Sequence, residues 1–311
     1  MLDYHLITNH KISGDPGRPS GALVYYVDSV SGSDTNSGET WATPFVTIQK
    51  AITMQIANTN GTGDVIYVAP GNYVEDLTGN LTKVQLIGAT CGGTPEVVSI
   101  RPTAGSAYTG VLENASIRNI DFRQSSSTNP AQAVLELTDM FSSIVDNCAI
   151  TGVSNTANSM GILIGSDTAA SGELMFNSKI SNCLISTFGA RTSEFEIGIS
   201  IGQTDTQNAS RKFSNSVIQG NRIFAEVLGI ALYTAAANNP ASVIDKNWVS
   251  SNQGQCSTAG IKSISATDTL CMVTRNYIRG VDAIAGFTDD NVLDNWVAND
   301  GTPAVENPAQ T

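Results

Sequence analysis

Histidine is nearly missing from this chain: His5 and His10 are the only two among 311 residues. A general acid–base site in the body of the chain would therefore rest on carboxylates alone, and an imidazole-built zinc site is excluded. The five cysteines, Cys91, Cys148, Cys183, Cys256 and Cys271, form no CxxC pair and leave one over if bridged, so they read as small buried or half-buried thiols. Charge is scarce as well. Asp, Glu, Lys and Arg make up 14% of the chain, below the roughly 25% of an average soluble protein. What charge there is favours acid, with a net of -12, which removes the clustered Lys and Arg that a nucleic-acid partner needs. No run of about 20 apolar residues offers a membrane span, and MLDYHLITNHKISGDPGRPSG lacks the apolar stretch of a signal peptide. The expectation is a protein with no membrane partner, made in the cytoplasm and not exported by a leader.

Gly, Ser, Thr, Asn and Ala fill the deficit, and Val, Ile and Leu recur throughout, so disorder does not follow. The chain is organised around Tyr25 to Tyr73: a β-rich run (Val24 to Val27), a Gly/Ser/Asp turn, an amphipathic segment and a second β-run (Val65 to Ala69) closed by Pro70-Gly71. Within the amphipathic segment Phe45, Ile48, Ile52 and Ile56 recur at helical spacing beside Ala51, and Thr43-Pro44 supply an N-cap and a first-turn proline. This predicts a helix at about 43–58, the lid that a solenoid needs over its first coil. Residues 1–22, with Pro16 and Pro19 among glycines, read as an irregular arm, residues 23–300 as one solenoid domain and 301–311 as a tail.

The run YYVD-S-x-x-GSD-x-NSG-x-x-WATPF-x-TIQ-x-A-I, followed by GD-x-IYVAPG-x-Y, resembles the opening of right-handed parallel β-helix proteins of the pectate-lyase-like superfamily. The resemblance implies an all-β right-handed parallel β-helix with an N-terminal capping helix. It implies no single activity, since that superfamily holds polysaccharide lyases, hydrolases, phage tailspikes and binding proteins without catalysis.

From residue 81 onward an irregular repeat supports the solenoid. Asparagine precedes an apolar position at Asn147, Asn182, Asn221, Asn247, Asn276 and Asn295, with Asn119 an imperfect earlier member, at gaps of 28, 35, 39, 26, 29 and 19 residues. A second register interleaves, beginning at Gly161, Gly198, Gly229 and Gly260, so each coil supplies at least two sheets. At a sharp corner Asn tolerates unusual backbone angles, and its amide can join neighbours in a ladder along the rod. Eight or nine coils at ~4.8 Å would make a rod on the order of 40 Å long. The longest loops fall at 125–131, 166–173, 189–195, 203–213 and 234–240.

By strand alternation the residue after each ladder Asn should face out, giving the column Cys148, Cys183, Arg222, Trp248, Tyr277, Trp296. Its aromatic half, Trp248, Tyr277 and Trp296, fits a subunit interface, a sugar-stacking platform, or a surface covered by the tail GTPAVENPAQT.

Candidate catalytic residues are few. The densest acidic group is Asp282, Asp289, Asp290 and Asp294, the only candidates if the chain is an enzyme; Asp-rich loops are as a rule simply solvated. The polygalacturonase-type elements Asn-Thr-Asp, Gly-His-Gly and Arg-Ile-Lys do not occur. No metal and no cofactor are expected. The reading is a non-enzymatic structural or binding part of a tailed-phage virion, a capsid decoration protein or short spike, made in the host cytoplasm and released by lysis. The alternative is a lyase or hydrolase acting on a host surface glycan. Expected partners are the chain itself as a homotrimer, other virion proteins through residues 1–22, and a surface glycan.

Overall fold

The computed structural model describes residues 22–299 and 302–306, apart from 59–62, 90–96, 104, 125–132, 153–158, 166–172, 188–194, 203–211, 235–238, 252–255, 264–269 and 289–290. The arm at 1–21, Cys91, Asp289, Asp290 and most of the long loops anticipated above therefore lie outside the described residues.

The architecture is a right-handed parallel β-helix. One wall, sheet A, stacks ten parallel strands from Val24–Val27 through Asp64–Val68 and Lys179–Ser181 up to Val292–Leu293. The other strands form one sheet of twenty that folds into two walls. Sheet B runs through Gly71–Tyr73, Ala149–Gly152, Trp248–Ser250 and Asn295–Asn299; sheet C through Tyr108–Glu113, Ala133–Phe141, Phe195–Ile201 and Gly280–Ala285. The strand Arg222–Leu232 passes unbroken from B into C. Ten rungs at ~4.8 Å span about 43 Å, one coil more than the sequence spacing counts.

Because the strands stack in register, each inward position becomes an aliphatic column. On sheet A it reads Ile66, Leu86, Ile117, Val145, Ile180, Ile218, Ile244 and Val273, all buried. On sheet B, Ile150, Ile185, Ile223, Val249, Ile278 and Val297 do the same. β-Branched side chains suit such columns, since their single favoured rotamer repeats from rung to rung. The glycines of the second register form a column of their own at the corner from B to C. A Cβ on Gly229 would sit 2.0 Å from Val249 Cγ1 and 2.5 Å from the Gly260 carbonyl oxygen, so only hydrogen fits.

The first coil is closed by the helix Ile48–Ala57, which buries Ile48, Ala51, Ile52 and Gln55. It starts five residues later than anticipated. Phe45 lies before it, bridged to Val27 and buried, and Thr47 rather than Thr43 is the N-cap, accepting from the Lys50 amide at 3.2 Å. Ile56 is half exposed, and Gln55 takes the inward place, donating to the Thr82 carbonyl at 3.0 Å. Two carboxylates seat the helix N-terminus: Glu75 accepts from the amides of Ile48 and Gln49 at 2.9 and 2.8 Å, and Asp34 from those of Val46 and Thr47 at 3.1 Å each. At the far end Thr302–Glu306 pairs antiparallel with Asn295–Asn299, so the tail extends the last coil.

The corner between sheets A and B corrects the repeat by one residue in its lower half. Asn119, Asn147 and Asn182 have φ of 59, 52 and 55°, and the equivalent left-handed positions above them are Gly220, Lys246, Arg275 and Asp294. The residue after each turns inward. The buried column is thus Cys148, Cys183, Asn221, Asn247, Asn276, Asn295, and Cys148 and Cys183 belong to it and not to the outer face. The amide Nδ2 of Asn221 donates to Asn247 Oδ1 at 2.9 Å, Asn247 to Asn276 at 3.0 Å and Asn276 to Asn295 at 2.9 Å. Each Oδ1 also accepts the backbone N–H of the rung below, ending with the Cys183 amide on Asn221. The Asn Nδ2 atoms reach the carbonyls of Ile180, Ile218, Ile244 and Val273, and the Cys183 thiol points to the matching carbonyl of Val145. Asn147 and Asn182 stay at the surface, donating to Asn119 Oδ1 and Asp146 Oδ1.

A serine ladder occupies the corner from C to A. Ser143, Ser178, Ser216 and Ser242 are buried, and each Oγ accepts the amide of Ala115, Ser143, Ser178 or Ser216 below at 3.0–3.3 Å. Only Asn247 and its like are fully enclosed, so Asn247→Leu should cost roughly 2–4 kcal/mol through buried groups left unsatisfied. Asn182→Gly, which keeps the left-handed backbone angle, should unfold at the same urea concentration as the parent. Equal losses from the two variants would return Asn182 to the buried ladder.

Candidate interaction face

The outer column of sheet B is set by pairing register: Asp121, Ala149, Leu184, Arg222, Trp248, Tyr277, Trp296. The corrected corner replaces the two cysteines of the anticipated column by Ala149 and Leu184. The aromatic half stands where the sequence places it. Trp248 and Trp296 keep 45% and 54% of their surface open, and Tyr277 is half-buried between them. The strand Thr302–Glu306 lengthens the edge of the sheet, and the rest of the tail, 307–311, lies outside the described residues.

How the rings meet decides what they can do. Trp248 and Tyr277 stack with centroids 4.1 Å apart and planes 24° apart. Since they occupy successive rungs, their faces look along the rod at each other and their edges look outward. A sugar stacks on a ring face, and in this pair the facing sides are taken. The Trp248 Nε1 also donates to Ser250 Oγ at 3.3 Å, which holds the indole in place. Below it, the Arg222 guanidinium lies 5.1 Å from the Phe224 ring centre.

The corner beside this face is pinned by Asp245. Its buried carboxylate accepts from Gln219 Nε2 at 2.9 Å, Thr274 Oγ1 at 3.0 Å, and Arg275 Nε and Nη2 at 2.8 and 3.0 Å. Burial alone would raise this carboxyl, but the hydrogen bonds from Gln219, Arg275 and Thr274, with the charge of Arg275, outweigh it and hold the group below its ordinary range. Sequence reading missed Asp245; the signal was an acidic residue in Val-Ile-Asp-Lys-Asn, one step before the corner.

Of the four acidic candidates, Asp289 and Asp290 lie outside the described residues, and the other two stand apart. Asp282 is exposed on sheet C, opposite Ala259, whereas Asp294 is exposed at the corner from A to B with φ 55°. Among the described residues no group of three or more His, Cys, Asp or Glu is placed to hold a metal ion. The four described cysteines are buried.

The comparisons with known proteins follow the fold. Residues 30–279 match the family described as "Protein of unknown function (DUF1565)". The chain belongs to this family. None of the curated proteins matches. Among solved structures, a tailspike protein of Acinetobacter baumannii bacteriophage Fri1, a capsular polysaccharide depolymerase, is 11% identical with a TM-score of 0.50, over 83% of this chain and 49% of that one. PfbA, a surface adhesin of Streptococcus pneumoniae, is 13% identical with a TM-score of 0.50, over 90% and 80%. A pectin methylesterase from carrot is 12% identical with a TM-score of 0.48, over 91% and 90%. At such identities the likeness is one of fold, the parallel β-helix.

The Asp245 network has a definite pH signature. A folded-state pKa below the unfolded value contributes stability that is present above the unfolded carboxyl range and is lost as pH falls through the folded value. Asp245→Asn should therefore unfold at lower urea than the parent near neutral pH, and the gap should narrow in acid, below about pH 4. A gap that stays constant down to pH 2 would show that the charge is not what Asp245 contributes.

Proposed function

We propose that the protein is a non-enzymatic structural and binding component of a tailed-phage particle, a capsid decoration protein or a short spike, that works as a homotrimer. The observation that carries this reading is the outer column of sheet B. A flat wall with two half-exposed tryptophans and a face-stacked Trp–Tyr pair is apolar surface that an isolated rod would leave in water. Association removes it, and edge-outward rings suit a protein contact better than a sugar platform. The particle assignment draws on the fold shared with the Fri1 tailspike. Other virion proteins are proposed to engage it through residues 1–22. The runner-up, a glycan-cleaving enzyme, draws on the neighbour that is a depolymerase; of its candidates Asp282 lies on sheet C and Asp294 at the corner from A to B, while Asp289 and Asp290 lie outside the described residues.

Light scattering should give three times the 32.6 kDa chain mass. Trp248→Glu combined with Tyr277→Glu should reduce it to one chain with the circular dichroism of the parent. A parent protein that is monomeric and binds oligosaccharide through Trp248 and Trp296 would overturn the reading.

A further inference from the structure

The upper end of the sheet B wall carries two opposite charges that no ion pair balances among the described residues. Arg279 is half-buried, and its Nε is buried without an acceptor. Asp294 is exposed at the corner from A to B, one rung higher. The other charges around the ridge of rings are cationic. Arg275 is matched by the Asp245 carboxylate, Arg222 lies over the Phe224 ring, and Lys246 stands at the corner one rung below Arg275. A buried donor without a partner is costly, and a carboxylate brought against the guanidinium offsets that cost.

Each coil crosses this wall in one order: corner residue, buried asparagine, outward ring, inward aliphatic, second outward residue. Arg275-Asn276-Tyr277-Ile278-Arg279 is one such crossing, and Asp294-Asn295-Trp296 opens the next. Corner and second outward position are four residues apart, about 13 Å, so Asp294 and Arg279 flank the ridge on opposite sides. When copies are related by a rotation axis parallel to the rods, every residue keeps its height and one flank of the wall faces the other flank of the next copy. Arg279 then faces Asp294 with a rise of one rung, ~4.8 Å, which the long arginine stem spans. A two-fold axis perpendicular to the rods would instead set the Arg279 flank against itself.

We infer that Arg279 of one copy pairs with Asp294 of the next, closing the ridge of Trp248, Tyr277 and Trp296 into a contact between copies whose rods run parallel. The inference rests on the self-association proposed above and names the ion pair that gives it a direction.

The test is a charge swap. Asp294→Arg suits the fold, because Lys246 and Arg275 already place long basic side chains at the equivalent left-handed positions, each with φ 54° against 55° for Asp294. At low ionic strength an ion pair is least screened. There light scattering should put Arg279→Glu alone and Asp294→Arg alone roughly threefold below the parent mass, and the double variant back at the parent mass. Circular dichroism checks that each variant is folded. Where Arg279→Glu unfolds, Arg279→Gln replaces it, and a mass equal to the parent's would overturn the pairing. If the parent is an oligomer and either folded single reversal keeps its mass, or the folded double variant stays dissociated, the pairing of Arg279 with Asp294 is wrong while self-association stands. A monomeric parent would overturn self-association itself, and this inference with it.

Discussion

Everything in this molecule depends on stacking each coil in register on the one below. A coil bends by placing single residues in the left-handed region, and the bend turns a polar backbone group inward. Buried N–H groups need partners. The partner is the side chain of the next rung: asparagine at one corner and serine at the other. Slipping a coil by one residue would strip both ladders and send every core side chain to the surface. The aliphatic columns supply the burial, and the corner ladders supply the register.

The same constraint explains what could be read from the sequence. The cap was legible because its fixed residues each have a local task. Asn36 Nδ2 donates to the Pro44 carbonyl at 2.8 Å, and at Gly38, with φ +73°, a Cβ would lie 2.1 Å from the Phe45 ring. Those residues build a lid, and for that reason the motif reports fold and stays silent on activity. The corner asparagines were ambiguous because Asn suits both the left-handed turn and the buried amide ladder. In Asn182-Cys183 it takes the turn; in Lys246-Asn247 the lysine takes the turn and Asn goes inward. The serine ladder went unread although Phe141-Ser-Ser, Phe176-Asn-Ser and Phe213-Ser-Asn-Ser repeat it, because a small polar residue is a faint signal without knowledge of the corner.

The exposed column was legible because alternation is rigid once a strand is placed: Trp248, Tyr277 and Trp296 share one face whichever residue precedes the corner asparagine. What the sequence did not reveal is the ring geometry. Stacking at 4.1 Å follows from the rise between rungs, and it sets one face of Trp248 against one face of Tyr277. Asp289 and Asp290 of the acidic group lie outside the described residues, and the two that are described stand apart. Asp282 and Asp294 are twelve positions apart in the chain, but a coil passes through a corner in that interval and sets them on different walls.

Function in this account belongs to the outside of the rod, on walls whose inner faces are occupied with holding register. Electron cryo-microscopy of the purified protein tests that most directly. The account predicts three rods side by side with parallel axes and the ridge of Trp248 and Tyr277 enclosed between chains. Single rods with that ridge bare, or with an oligosaccharide lying across it, would contradict it.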